Sequence, residues 1–259
     1  MSFEPEAVRA FEHSGWQRAA ASYQDTFARA TAPFIAPLLA AVDIASGLHL
    51  LDVACGPGYA AAAAASRGAA AEGLDFSAAM VRMAGALHPD IAVTEGDAED
   101  MPYPGGAFGA VVSNFGLHHV PRPGIALTEF ARVLAPGGRA AFTVWAAPAE
   151  NVAWSLVFDA IARHGDRAAA RTPAPGGSFN KPEDCLRALG EAGFADISAE
   201  IVRAEWPLPD AQALIAAQEP SALTQIVADI DRSAERYRHG DSLAIPIAAV
   251  LARGQKPRD

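Results

Sequence analysis

The spacing of apolar residues changes near residue 47. Over about 5 to 46, Val8, Phe11, Trp16, Ala20, Tyr23 and Phe27 recur at roughly helical spacing, and Pro33 and Pro37 are expected to break the run. From Leu48 onward, short apolar runs alternate with helical stretches. The runs 48–54, 69–75, 91–95, 107–114 and 139–145 read as strands, and 58–67, 77–87 and 123–135 as the helices between them. Each run is continuous rather than alternating, as in strands covered on both faces. This repetition predicts an α/β fold, a doubly wound parallel sheet with right-handed crossovers.

After Trp145 the rhythm is interrupted. A helix is predicted over 149–165, a loop over 171–178, and a helix over 181–192 that stops at Gly193. Strands return at 196–206 and 243–253, with helical residues 210–238 between them. Four parts follow: an N-terminal helical cap (1–46), a ligand-binding core (47–147), a helical insertion (148–192), and a C-terminal part (193–259) that completes the sheet.

Composition narrows the partners. The 259 residues are 51% hydrophobic and 19% charged, which suits one large domain with a substantial core. A net charge of −10, with Lys181 and Lys256 as the only lysines, repels phosphate backbones and anionic lipids. Nucleic acid and membrane are therefore not expected as partners. The longest apolar stretches are alanine-rich and interrupted by Gly, Arg or Pro, so no spanning segment is expected. Cys55 and Cys185 lack metal-ligand spacing, and no metal is expected. With an acidic start unlike a leader peptide, the expected compartment is the reducing cytoplasm.

Leu50-Leu51-Asp52-Val53-Ala54-Cys55-Gly56-Pro57-Gly58-Tyr59 runs a strand through two glycines into a helix. Such a loop lets a ligand approach bare backbone. The glycines alone also satisfy a dinucleotide pattern, and a Gly-rich turn need bind nothing. The acid ahead of them discriminates: Asp52 would repel a pyrophosphate and attract a cationic ligand. Asp75 ends the second strand, where a carboxylate can accept from ribose hydroxyls or cap the next helix, a role for which Ser77 competes. A third acid cluster, Glu95 to Asp100, follows the third strand, with Phe76 and Met80 offering an apolar face.

The motifs LDVACGPGY, GLDFSAAM, EGDAEDMPYPGGAFGAVVSNFGLHHV and RVLAPGGRAAFTVW, in this order over 48–145, resemble the class I S-adenosylmethionine-dependent methyltransferases. More closely, they are similar to the branch of the ubiquinone and menaquinone biosynthesis enzymes. The resemblance implies a seven-stranded, mostly parallel sheet whose last strand, 243–253, is antiparallel. It implies that Asp52 and the backbone from Ala54 through Gly56 to Gly58 face the methionine end of the cofactor. Asp75 would hold the ribose, and Asp97 with the Ala98 amide the adenine. Asn114 and Phe115 would line the methyl-transfer point, and Tyr23 would close over the cofactor carboxylate. Arg122 stands where an acid is common and receives no role.

A base is required only for an acceptor protonated at working pH. His118 and His119 are the candidates, with His118 toward the acceptor and His119 facing away, or the reverse; packing roles for both stay open. In an extended segment the two would diverge, which argues against a shared metal. His13, His49, His88, His164 and His239 are expected as surface or loop residues. Phe11, Trp16, Phe27, Trp154, Phe158, Phe179 and Trp206 lie outside the cofactor motifs and suggest a small-molecule acceptor with an apolar or aromatic body. The alternatives are a non-catalytic S-adenosylmethionine binder and an NAD(P)-dependent oxidoreductase. The latter lacks an evident Ser/Tyr/Lys set.

Overall fold

A computed structural model describes residues 4–25, 27–164, 179–208 and 223–258. The parallel strands are β1 (His49–Val53), β2 (Ala70–Asp75), β3 (Ala92–Glu95), β4 (Phe108–Asn114) and β5 (Leu134–Trp145). Three further strands are β6 (Ala195–Leu208), the two-residue β7 (Arg238–His239) and β8 (Ser242–Gln255). The order across the sheet is β3-β2-β1-β4-β5-β8-β6, with β7 a short hairpin partner of β8. β8 runs antiparallel to both β5 and β6. This is the expected seven-strand path with its antiparallel closing strand, plus one small addition. The order reverses between β1 and β4, so a crevice opens there at the carboxyl ends of the strands.

Adjacent strand residues feed opposite faces. Leu51 and Val111 join a core formed with α6 (Pro123–Val133) and α8 (Pro182–Glu191). Leu50, Ala110 and Val112 join another formed with α3 (Ile35–Ala41) and α4 (Tyr59–Ala65). Both faces are covered, which explains the continuous apolar runs. Helix α5 (Ala78–Leu87) packs beside β2 and β3. The predicted helix to residue 135 ends at Val133, because Leu134 is extended and the residue before Pro136 is disfavoured in a helix.

The β6–β8 ribbon continues beyond the end of β5, to the pairs Trp206↔Ile245 and Leu208↔Leu243. On this overhang, α2 (Phe27–Thr31), α7 (Val152–His164) and α9 (Leu223–Ala234) build a third core around fully buried Trp206. Asp229 of α9 accepts from Arg163 and pairs with His164 of α7, at 2.5 and 3.2 Å. The insertion expected over 148–192 thus supplies α7 to this third core and α8 to the main one. The predicted loop at 171–178 and part of the helical stretch 210–238 lie outside the described residues.

The N-terminal segment holds α1 (Pro5–Ala19), a 3₁₀ stretch (Ala20–Asp25), α2, a 3₁₀ turn (Ala32–Phe34) and α3. Pro33 lies in that turn, but Pro37 does not break the run as expected. It sits in the first turn of α3, where backbone N–H groups have no helical partner. Two histidines also differ from expectation. His49 in β1 bridges Glu72 (2.7 Å) and the Ala107 carbonyl (3.0 Å), and His164 pairs with Asp229. Among the described residues no helix is long and apolar enough to cross a membrane, and no three or more His, Cys, Asp or Glu side chains are grouped to hold a metal ion.

Candidate active site

The loop after β1 turns through left-handed backbone at Ala54 (φ 53°), Gly56 (53°) and Gly58 (81°). Ala54 tolerates this conformation only at a cost, and such strain concentrates at functional sites. Asp52 reaches under the loop and accepts the Ala61 N–H of α4 at 3.0 Å through Oδ2. Its Oδ1 is buried with no protein partner, and the residue lines a chamber at the crevice. Burial, with a smaller contribution from the Asp75 charge, raises its pKa to about 7.

Asp75 ties two backbones together. Gly56 N–H donates to Oδ2 at 2.8 Å, and Ser77 N–H donates to Oδ1 at 2.9 Å. Ser77 Oγ accepts from Met80 N–H and caps α5, so Asp75 is not the cap. Burial raises Asp75 to about 6, against those two bonds. Phe76, Met80 and Ala98 line the same chamber. Cys55 fits over Gly73 of β2, where a Cβ would stand 2.8 Å from its sulfur, and burial pushes its thiol well up.

Asp97 is engaged from outside the core. Its Oδ1 accepts the Glu99 N–H at 2.9 Å, and its Oδ2 pairs with Arg9 of α1. Arg9 also donates to Glu99 at 3.0 Å, and Arg122 grips Glu99 through its backbone N–H and guanidinium, each at 2.7 Å. Arg122, given no role from sequence, therefore fixes the acid beside Asp97.

After β4, Asn114 accepts from Thr143 Oγ1 at 2.7 Å and donates to the Thr31 carbonyl at 3.2 Å. Phe115 turns left-handed (φ 60°) and stacks on Trp145 with centroids 4.0 Å apart. Phe115 lines the first chamber and a second, more apolar one walled by Phe27, Trp145, Trp154, Phe158 and Phe179. The two chambers share Trp16, Tyr23, Thr31, Phe115 and His119. Burial raises Tyr23 to about 12, so its hydroxyl stays protonated.

His118 and His119 do not diverge, because Leu117–His119 is a 3₁₀ turn rather than extended chain. Their rings lie 4.1 Å apart. His118 lines only the second chamber, with Nδ1 buried and without a partner. Burial, and then its neighbour, hold it well below the ordinary histidine range. His119 meets Glu12 of α1 at 3.0 Å.

Among the expected cofactor residues, only Gly58 is absent from the chamber wall, where it shapes the loop instead. Arg9, Glu12 and Gly116 were not singled out as site residues, and Trp16 was named only among the aromatics expected around an acceptor. The polar face of α1 carries no local signal for partners some 90 to 110 residues away.

Residues 51–142 match a family described as a methyltransferase domain. The demethylmenaquinone methyltransferase of Paenarthrobacter aurescens is 29% identical over 61% of this chain. The chain covers 66% of that protein, and less than half of several further demethylmenaquinone methyltransferases that it matches. Nocamycin O-methyltransferase of Saccharothrix syringae is 28% identical over 92% of this chain and 96% of its own length. Among solved structures, phosphoethanolamine N-methyltransferase 2 of Haemonchus contortus, in complex with phosphomonomethylethanolamine and S-adenosylhomocysteine, superposes with a TM-score of 0.57. It shares 19% identity over 86% of this chain and 52% of its own, a likeness of fold. The domain match over 51–142, joined to the strand order and the acids at three successive strand ends, supports a class I S-adenosylmethionine-dependent methyltransferase domain in this chain.

Proposed function

We propose that the protein moves a methyl group from S-adenosylmethionine to a small molecule with an apolar or aromatic body. The observation that carries this reading is the shared wall between a chamber lined by acids and a chamber lined by aromatics. One suits a cationic nucleoside and the other an apolar acceptor, with Phe115 and Asn114 near the passage between them.

The residues of the first chamber fit the cofactor. The orphaned Oδ1 of Asp52 can accept from an ammonium group, and would repel the pyrophosphate of a dinucleotide. The open left-handed backbone at Ala54 and Gly56 admits close approach; a Cβ on Gly56 would meet nothing within 4 Å. Asp75 can accept from ribose hydroxyls, Phe76 and Met80 offer apolar faces, and Asp97 with the Ala98 amide can select an adenine edge. Tyr23, kept neutral, can donate to a carboxylate. When bound, the cofactor supplies a methyl group already activated on a sulfonium. The chain has then to align the acceptor and exclude water, which the aromatic wall does. Two unpaired thiols, Cys55 and Cys185, suit a reducing cytoplasm.

Calorimetry with S-adenosylmethionine, S-adenosylhomocysteine and NAD tests the cofactor. Binding of the first two should raise the melting temperature by mass action. Labelled S-adenosylmethionine incubated with extracted small metabolites tests transfer. A shift with NAD alone would overturn the reading.

A further inference from the structure

His119 is the histidine that lines both chambers, and it is held from outside the core. Its Nδ1 lies 3.0 Å from Oε2 of Glu12, a carboxylate only 13% exposed. The same oxygen accepts from Trp16 Nε1 at 3.1 Å, and the Trp16 ring packs edge-on against His119 at 4.8 Å. An ionised carboxylate only accepts, so a neutral His119 carries its proton on Nδ1 and leaves the Nε2 lone pair free. A carboxylate behind the ring also stabilises the imidazolium that a base becomes. His118 has no such partner, and burial disfavours its charged form.

Resting on the methyl-transfer reading above, we propose that Glu12 and His119 form a dyad that deprotonates a weakly acidic hydroxyl, so the acceptor is a phenol or enol with an apolar body. The hydroxyl proton passes to His119 Nε2, and the oxygen lone pair forms the new bond to the methyl carbon. The carbon–sulfur bond breaks with its electron pair left on sulfur, and the imidazolium later releases its proton to water. His119 is the catalytic base and Glu12 its positioning residue.

The dyad exists only while α1 is seated. That helix is fastened by Arg9 to Asp97 and Glu99, and by Gln17, whose Oε1 accepts the Ala79 N–H at 3.0 Å. Closing the chamber and preparing the base are one event. The titratable and charged groups around His119 are Glu12 from α1 and His118 on its own turn. Tyr23, Arg9, Asp52, Asp75 and Asp97 line the chambers with it.

The test compares 1-naphthol with its methyl ether, 1-methoxynaphthalene, as probes, with and without S-adenosylhomocysteine. Nitrogen NMR of the imidazoles in the full chain accompanies it. Wild type should bind the naphthol about three- to ten-fold more tightly than the ether, as one hydrogen bond allows. That preference should vanish in His119→Phe. His119 should appear as the Nδ1–H tautomer, kept in Glu12→Gln, whose amide oxygen can still accept, and no longer fixed in Glu12→Ala. Equal binding of the probes, a preference that survives His119→Phe, or a proton on Nε2 would overturn the dyad. A missing response to S-adenosylhomocysteine would instead remove the methyl-transfer reading, and the probe and tautomer results would still decide the dyad.

Discussion

Gly116 lies so close to Ala54 that a Cβ built on the glycine would stand 2.5 Å from the alanine Cβ, and 2.6 Å from Ser113 Oγ. The loops that leave β1 and β4 touch there, at the switch point of the sheet. The glycine is needed for its missing side chain, because its φ of −91° is open to any residue. Gly116→Ala should therefore act as overpacking and cost about 1–3 kcal/mol of stability. It should also push the Ala54 turn into the cofactor chamber. Urea denaturation and a titration with S-adenosylhomocysteine measure the two effects, and an unchanged protein would show that the loops can separate freely.

Asp75 invites a subtler substitution. An asparagine has one carbonyl oxygen, so it can serve Gly56 N–H or Ser77 N–H but turns its amide NH2, a donor, toward the other. Asp75→Asn should cost about 1–3 kcal/mol through the donor left unpaired. Loss of the charged partner should weaken the cofactor on the order of ten- to a hundred-fold. Unchanged affinity with lowered stability would return Asp75 to a purely structural role.

The buried acids also set a pH dependence. Burial lifts Asp52 to about 7 and Asp75 to about 6, from 3.8 for a free side chain. Raised values mean that the folded chain binds these protons more tightly than the unfolded chain does. The stability they contribute is present below about pH 4 and is lost as pH rises through 6 and 7. A cation in the chamber offsets that loss by stabilising the ionised forms. The melting-temperature gain from S-adenosylmethionine should be larger near pH 8 than near pH 5. S-adenosylhomocysteine, which lacks the sulfonium, should show a smaller difference. Gains independent of pH for both would show that neither acid faces the ligand.

The legible parts of this protein were those written locally. Apolar runs marked the strands because both faces of the sheet are covered. Asp52, the glycines, Asp75 and Asp97 could be placed because a strand end and the loop after it lie within a few residues of each other. The polar clasps of α1 were not legible: Arg9 meets Asp97 and Glu99, and Glu12 meets His119, across the whole nucleotide-binding unit. The apolar stripe of that helix was visible, yet only Val8 of it is fully buried, and polar contacts help to fasten the helix. The relation of His118 to His119 was missed for another reason. It depends on a single 3₁₀ turn that reverses the geometry an extended segment would give.

Arg9 offers the most direct test of α1 as a gate. Its guanidinium engages Asp97 and Glu99 at the place proposed for the adenine, so the clasp lies across that end of the chamber. The Asp97 pair is partly exposed, with 25% of the Arg9 side chain and 36% of that of Asp97 accessible, and the buried Glu99 keeps Arg122 as its partner when Arg9 is removed, so the loss to overall stability should be small. Arg9→Ala should leave the melting temperature of the free protein nearly unchanged. It should speed both association and dissociation of S-adenosylhomocysteine in stopped-flow measurements, since the same contact bars entry and exit. Added salt should move the wild type toward the variant by screening the pair. If only dissociation quickens, Arg9 stabilises the bound ligand rather than guarding the way in. If neither rate changes, α1 is a fixed wall, and the cofactor enters by another route.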